Sequence, residues 1–174
     1  MKIIDLTQEF TNDIPVYPGD PIPHIEQISD IENHGFNDHK LTTAMHVGTH
    51  IDAPLHMLSG GKKMSEINTE KFIGHGIIID ARGKNSIDVD LLNGVELPAK
   101  CIVLICTGFS KKFHEKEYWE SYPALTVEFA QKLVDADINI VGMDTASPDK
   151  DESFPVHKLL LKNEILIIEN HSLV

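Results

Sequence analysis

His46, His50, Asp52 and His56 fall within one stretch of eleven residues, H-VGT-H-I-D-APL-H. Neutral imidazole nitrogen and carboxylate oxygen are the donors that first-row divalent metals take from proteins. The four residues carry even numbers, so an extended chain projects them from one face. A straight strand would still hold His46 and His56 roughly 33 Å apart, at about 3.3 Å per residue. One site collects them only if the chain bends, and Gly48 and Pro54 supply the places for bending. His46 and His50 also keep the i, i+4 spacing of helical zinc motifs. Gly48, Thr49, Ile51 and Pro54 argue against a helix here. A bent strand or loop presenting a metal site is the expectation.

A divalent cation with an open coordination position lowers the pKa of water to about 7 and so supplies hydroxide for attack on a carbonyl. Not every polar residue of the stretch can then be a ligand. His56 follows Pro54 and lies four residues beyond Asp52, which suits an acid or base next to the metal. Five of the other histidines, His24, His34, His39, His75 and His114, have no chemical company and read as surface groups.

The elements that must position this stretch fall into two parts. Lys2–Leu6, His24–Ser29 and Leu41–Val47 read as strands of an antiparallel sheet leading into the histidines, with the proline-rich loop of residues 15–23 between the first two. Further on, Gly76–Asp80, Cys101–Cys106, Ile138–Met143 and Ile165–Ile168 are short continuous apolar runs, as in strands buried on both faces. Val127, Ala130, Leu133 and Val134 keep helical spacing after a Thr126 N-cap. Val156–Leu161 reads as another short helix, after Pro155. Strands alternating with helices predict one α/β domain over residues 1–174, with a mixed sheet and flanking helices.

Composition narrows the function. The 174 residues are 41% hydrophobic and 24% charged, ordinary for a globular protein. A formal net charge of −12 argues against a nucleic-acid partner, which would need clustered lysine and arginine. Cys101 and Cys106 sit in one apolar run and read as buried, reduced thiols. No apolar run approaches the roughly 20 residues of a membrane span, and the N-terminus turns acidic too early for a signal peptide. The expected location is the cytoplasm.

The histidine stretch resembles the His-x-Gly-Thr-His-x-Asp-x-Pro-x-His signature of the cyclase family of metal-dependent hydrolases. Asp5-Leu-Thr, the loop Pro15-Val-Tyr-Pro-Gly-Asp20-Pro, Gly142-Met-Asp144-Thr-Ala-Ser147 and the pair His157 and Glu169-Asn170 match as well, so the resemblance runs along nearly the whole chain. It implies a compact domain of the swivelling β/β/α type, assembled as a homodimer or homotetramer in which a neighbour's loops can close the site. It implies two divalent metals, zinc or manganese, held by His46, His50, Asp52, His157 and Glu169, with Asp52 shared. It makes His56 the catalytic acid/base and the substrate a small amide. N-formylkynurenine, cleaved to kynurenine and formate, is the leading candidate, and isatin-like cyclic amides are the alternative. Tyr17 stands where formamidases commonly carry tryptophan and is expected either to stack on an aromatic substrate or to pack its own loop, and His171 stands where an apolar residue is usual. Asp144 follows a buried run and is expected either to orient a ligand or the bridging water or to form an Asp turn or N-cap with Thr145 and Ser147. A non-catalytic metal-binding or metabolite-sensing protein is the rival from another class. The presence of His56 argues against it, since binding alone needs no proton-transfer group.

Overall fold

Four of the apolar runs form consecutive members of one sheet. The computed structural model describes residues 2–173. An antiparallel pair comes first, β1 (His24–Ser29) and β2 (Asp38–Thr42), joined through the short helix α1 (Ile31–His34). The histidine segment contributes β3 (His50–Asp52), and β4 (Gly76–Asp80) follows. Two short strands, β5 (Ser86–Ile87) and β7 (Ala124–Leu125), pair with each other. Between them run β6 (Ile102–Cys106) and the helix α2 (Lys116–Glu120). The chain closes with α3 (Val127–Asp135), β8 (Ile140–Met143), α4 (Pro155–Lys162) and β9 (Leu166–Glu169).

The main sheet has the order β3-β9-β8-β6-β4. Its last four strands are parallel, and β3 alone runs antiparallel, against β9. Parallel neighbours need crossovers, which α3 provides between β6 and β8, and α4 between β8 and β9. Both helices stand over one face, where Val103, Ile105, Val141, Met143 and Ile167 meet Phe129, Leu133, Leu160 and Leu161, all at most 1% exposed. On the other face Ile140 and Leu166 pack with Ile67. The α/β class and the mixed sheet are as expected.

Local chemistry accounts for the helices. Thr126 Oγ1 accepts from Phe129 N at 3.1 Å, capping α3 as read from the sequence. Pro155 occupies the first turn of α4, where its missing N–H costs nothing.

Three expectations change. Residues 2–6 form no strand: their β-branched side chains Ile3 and Ile4 are exposed, and the segment is held through Leu6 O, which accepts from Ser172 N. Strand character in the 41–47 run ends at Thr42, and the chain enters irregular turns before His50. Gly76–Asp80 is an edge strand rather than one buried on both faces, with Ile79 2% exposed and Ile78 61% exposed. Both cysteines are buried and free.

Candidate metal centre and catalytic pocket

β3 is only three residues long, and its pairing with β9 sets the site. The register places His50 opposite Glu169 and Asp52 opposite Ile167. Side chains alternate along a strand, so His50, Asp52 and Glu169 share one face. The chain bends on either side of β3. Gly48 takes φ +63, a conformation that glycine adopts without a Cβ penalty, and Pro54 begins a 3-10 turn over Pro54–His56. These bends bring His46 and His56 together, with ring centres 3.9 Å apart and planes tilted by 30°. His157 arrives from the first turn of α4, its ring centre 5.9 Å from that of His56.

Asp52, 1% exposed, lies at the middle of this nest. Its Oδ1 is 2.8 Å from His46 Nδ1 and 3.5 Å from His50 Nε2, and its Oδ2 is 3.7 Å from His157 Nε2. The first two contacts lack hydrogen-bond alignment and the third is too long, so both buried oxygens lack a hydrogen-bond partner, as does His50 Nε2. Glu169 Oε2 lies 3.3 Å from His50 Nε2, and Oε1 lies 3.2 Å from His157 Nε2. Buried polar atoms without partners are costly, and a cation among them removes that cost. Two overlapping donor groups meet at Asp52: His46, Asp52 and His56, and His50, Asp52 and Glu169. The residues present therefore fit a divalent metal, with Asp52 common to both groups.

Electrostatics agree with the geometry. Burial pulls the His50 imidazole toward the neutral form, but Asp52 and Glu169 outweigh it and raise the pKa to about 10. At His157 burial again opposes the charge, and Asp149, Asp52 and Glu169 raise the pKa to about 11. Burial disfavours the Asp52 carboxylate, yet the surrounding imidazoles hold its pKa far below the usual range. The nest thus carries a surplus of negative charge that calls for protons or a cation. At His56 burial prevails, and the pKa falls below its ordinary value.

The imidazoles of His50 and His157 are gripped from behind. His50 Nδ1 donates to Gly48 O at 2.9 Å. The same carbonyl accepts from Asn170 Nδ2 at 3.1 Å, and Asn170 Oδ1 accepts from the buried Tyr118 hydroxyl at 2.7 Å. Asn170 adopts φ +59, which asparagine tolerates better than most residues. His157 Nδ1 lies 2.7 Å from Asp149 Oδ2.

A cavity of about 300 Å³ opens onto the nest, with His46, His50, His56, His157 and Glu169 in its floor. Its wall is aromatic, from Tyr17, Trp119, Tyr122 and Phe154. Tyr17 and Trp119 meet edge to face, with ring centres 6.1 Å apart.

All five expected ligands converge, with His56 beside them and Tyr17 on the wall. Asp144 does not join them. Its Oδ1 accepts from Thr107 N and Thr107 Oγ1, and its Oδ2 accepts from Gly108 N, so it ties the turn after β6. The reason is position: β8 delivers Asp144 beside the end of β6, its parallel neighbour. The carboxylate behind the His157 imidazole is Asp149 instead, which sequence reasoning missed. Its only signal was a cluster of acidic residues, Asp149, Asp151 and Glu152, shortly before His157. Trp119, Tyr122, Phe154 and the anchoring role of Asn170 were missed for a related reason, since no local pattern links them to the histidines. The five histidines read as surface groups are all exposed.

Known proteins share this sequence and fold. The Cyclase family model, described as "Putative cyclase", matches residues 4–150. A kynurenine formamidase from Bacillus cereus is 34% identical over 170 residues, covering 96% of this chain and 80% of the relative. A "predicted metal-dependent hydrolase from Bacillus stearothermophilus" superposes with a TM-score of 0.80 at 27% identity, covering 98% of this chain and 82% of that one. Isatin hydrolase A from Labrenzia aggregata superposes with a TM-score of 0.88 at 24% identity, covering 99% and 81%, a likeness of fold.

Proposed function

Because the chain belongs to the cyclase family, we propose that it hydrolyses an aryl formamide, with N-formylkynurenine as the leading substrate and kynurenine and formate as products. The enzyme is a metal-dependent hydrolase of carbon–nitrogen amide bonds, a class supported by its formamidase and metal-dependent hydrolase relatives. The observation that carries the reading is Asp52, buried with both oxygens unpartnered amid imidazoles from three parts of the fold.

In this proposal His46, His50, Asp52, His157 and Glu169 would hold the cation or cations, zinc or manganese, with Asp52 common to both donor groups. A bound divalent ion polarises the amide carbonyl and lowers the pKa of water. The remaining work falls to side chains. Partial desolvation lowers the His56 pKa below its ordinary value, which favours the neutral imidazole that can accept a proton from water and pass it to the departing nitrogen as the C–N bond breaks. Tyr17 and Trp119 present an edge-to-face corner that receives a planar aryl group.

The test is assay of zinc- and manganese-loaded protein on N-formylkynurenine, with isatin and a simple N-formyl aniline in parallel. Formation of kynurenine and formate well above the rates on the other two supports the reading. Preferred opening of isatin moves the substrate to cyclic amides. A metal-loaded protein inert to all three points to a binding function.

A further inference from the structure

We propose that Asp149 is a positioning residue that keeps a proton on His157 Nδ1 and aims Nε2 into the space beside Asp52 and Glu169, where a cation would take its lone pair. The inference rests on the reading that His157 is a metal ligand.

The geometry is specific. Asp149 Oδ2 accepts both from His157 N at 2.9 Å and from the ring Nδ1 at 2.7 Å, while Oδ1 accepts from Val156 N at 2.9 Å. An ionised carboxylate only accepts, so Nδ1 must carry the hydrogen. The other nitrogen of a neutral ring then keeps its lone pair, which is the form that binds a metal. Nε2 points to the place where Glu169 Oε1 lies at 3.2 Å and Asp52 Oδ2 at 3.7 Å. One oxygen thus grips both the backbone and the ring of His157, which leaves the side chain little freedom to turn. The ring of Phe154 stands nearly perpendicular to the imidazole, with centres 5.7 Å apart.

Asp149 is itself immobilised. It is 4% exposed, its N donates to Ser147 Oγ at 3.2 Å, and its carbonyl accepts from the Tyr122 hydroxyl at 2.7 Å. Tyr122 also lines the substrate cavity, so the wall that meets substrate and the support behind the ligand are one connected unit.

A purely structural role must be separated from positioning, because Asp149 also satisfies two N–H groups at the start of α4. The experiment measures zinc affinity by competition with a chromophoric chelator, together with thermal midpoints, for wild type, Asp149→Ala and Asp149→Asn. Asparagine restores a neutral acceptor at the helix start but not the carboxylate. We expect Asp149→Ala to lose roughly 10- to 100-fold in zinc affinity, the scale on which such outer partners act. Asp149→Asn should recover most of the thermal midpoint yet still bind zinc several-fold more weakly than wild type. In the zinc-loaded wild type, ring 15N shifts should show His157 protonated at Nδ1, and the bound hydrogen should be less downfield in the asparagine variant. Affinity that follows the midpoint in both variants, or Asp149→Asn binding zinc as wild type does, overturns the proposal. Should Asp149→Ala fail to fold, the asparagine variant decides alone. Tight zinc binding without amide hydrolysis would retire the proposed reaction and leave this inference standing. Failure of the wild type to bind zinc overturns the inference too.

Discussion

His46 and His56 stack at 3.9 Å, yet the proposed chemistry gives them different work. His56 belongs by distance to the donor group of His46 and Asp52, so the division between ligand and proton carrier has a direct experimental readout. His56→Asn should lower the turnover rate roughly 10²- to 10⁴-fold, the range for general acid–base groups, while metal content stays at the wild-type level. Loss of metal in parallel with rate would make His56 a ligand. His50→Ala should behave in the opposite manner, losing metal and hydrolysis together; full activity in a metal-free variant would sink the proposed site. The residues of the 46–56 stretch were legible because chain proximity and donor chemistry coincide there. Asp149 was not, because its partnership with His157 depends on how the segment between β8 and α4 folds back. No residue spacing encodes that return.

At the level of elements, legibility tracked how completely a segment is buried. β6, β8 and β9 are walled by the core, and their uninterrupted apolar runs announced them. Thr126 announced α3 through a local hydrogen bond that any chain with that sequence can make. Thr126→Ala should therefore cost about 1 kcal/mol in denaturant unfolding and leave metal content and turnover unchanged. Residues 2–6 show the converse: Ile3 and Ile4 stay exposed, and β-branched composition alone does not make a strand. Gly48 joins element to site. A Cβ there would lie 2.8 Å from Ile14 Cδ1, and φ is +63. The left-handed backbone costs a non-glycine residue roughly 1–2 kcal/mol. Since Gly48 O also anchors His50 Nδ1, Gly48→Ala should lose both stability and metal affinity, read by denaturant titration and by metal analysis of the purified variant. Normal metal affinity in a destabilised Gly48→Ala protein would uncouple the bend from the site.

Across the whole molecule, the site links fold stability to pH and to metal. Without a cation, burial opposes charge on His50 and His157, but the carboxylates dominate and hold their pKa values at about 10 and about 11, above the ordinary 6.5. The folded chain then binds more protons than the unfolded chain between these limits, so stability must fall as pH rises through that interval. The contribution is complete below about pH 6.5 and lost above about pH 11. Asp52 acts at the other end: burial raises its pKa, the imidazoles lower it further, and its contribution is present above 3.8 and lost as pH falls through its depressed folded-state pKa. In the proposed site a divalent cation would take the place of the imidazole protons, so its apparent affinity should rise with pH, up to about tenfold per unit for each proton displaced. Thermal melts of chelator-treated and metal-loaded protein should therefore diverge from pH 6.5 to pH 9, with the chelated form losing midpoint and the loaded form keeping it. The divergence should persist in His56→Asn, since the lowered pKa of His56 favours its neutral form over this range. A gap between the two forms that stays constant across this range would mean that the nest around Asp52 does not exchange protons for metal, and that its negative charge is balanced in some other way.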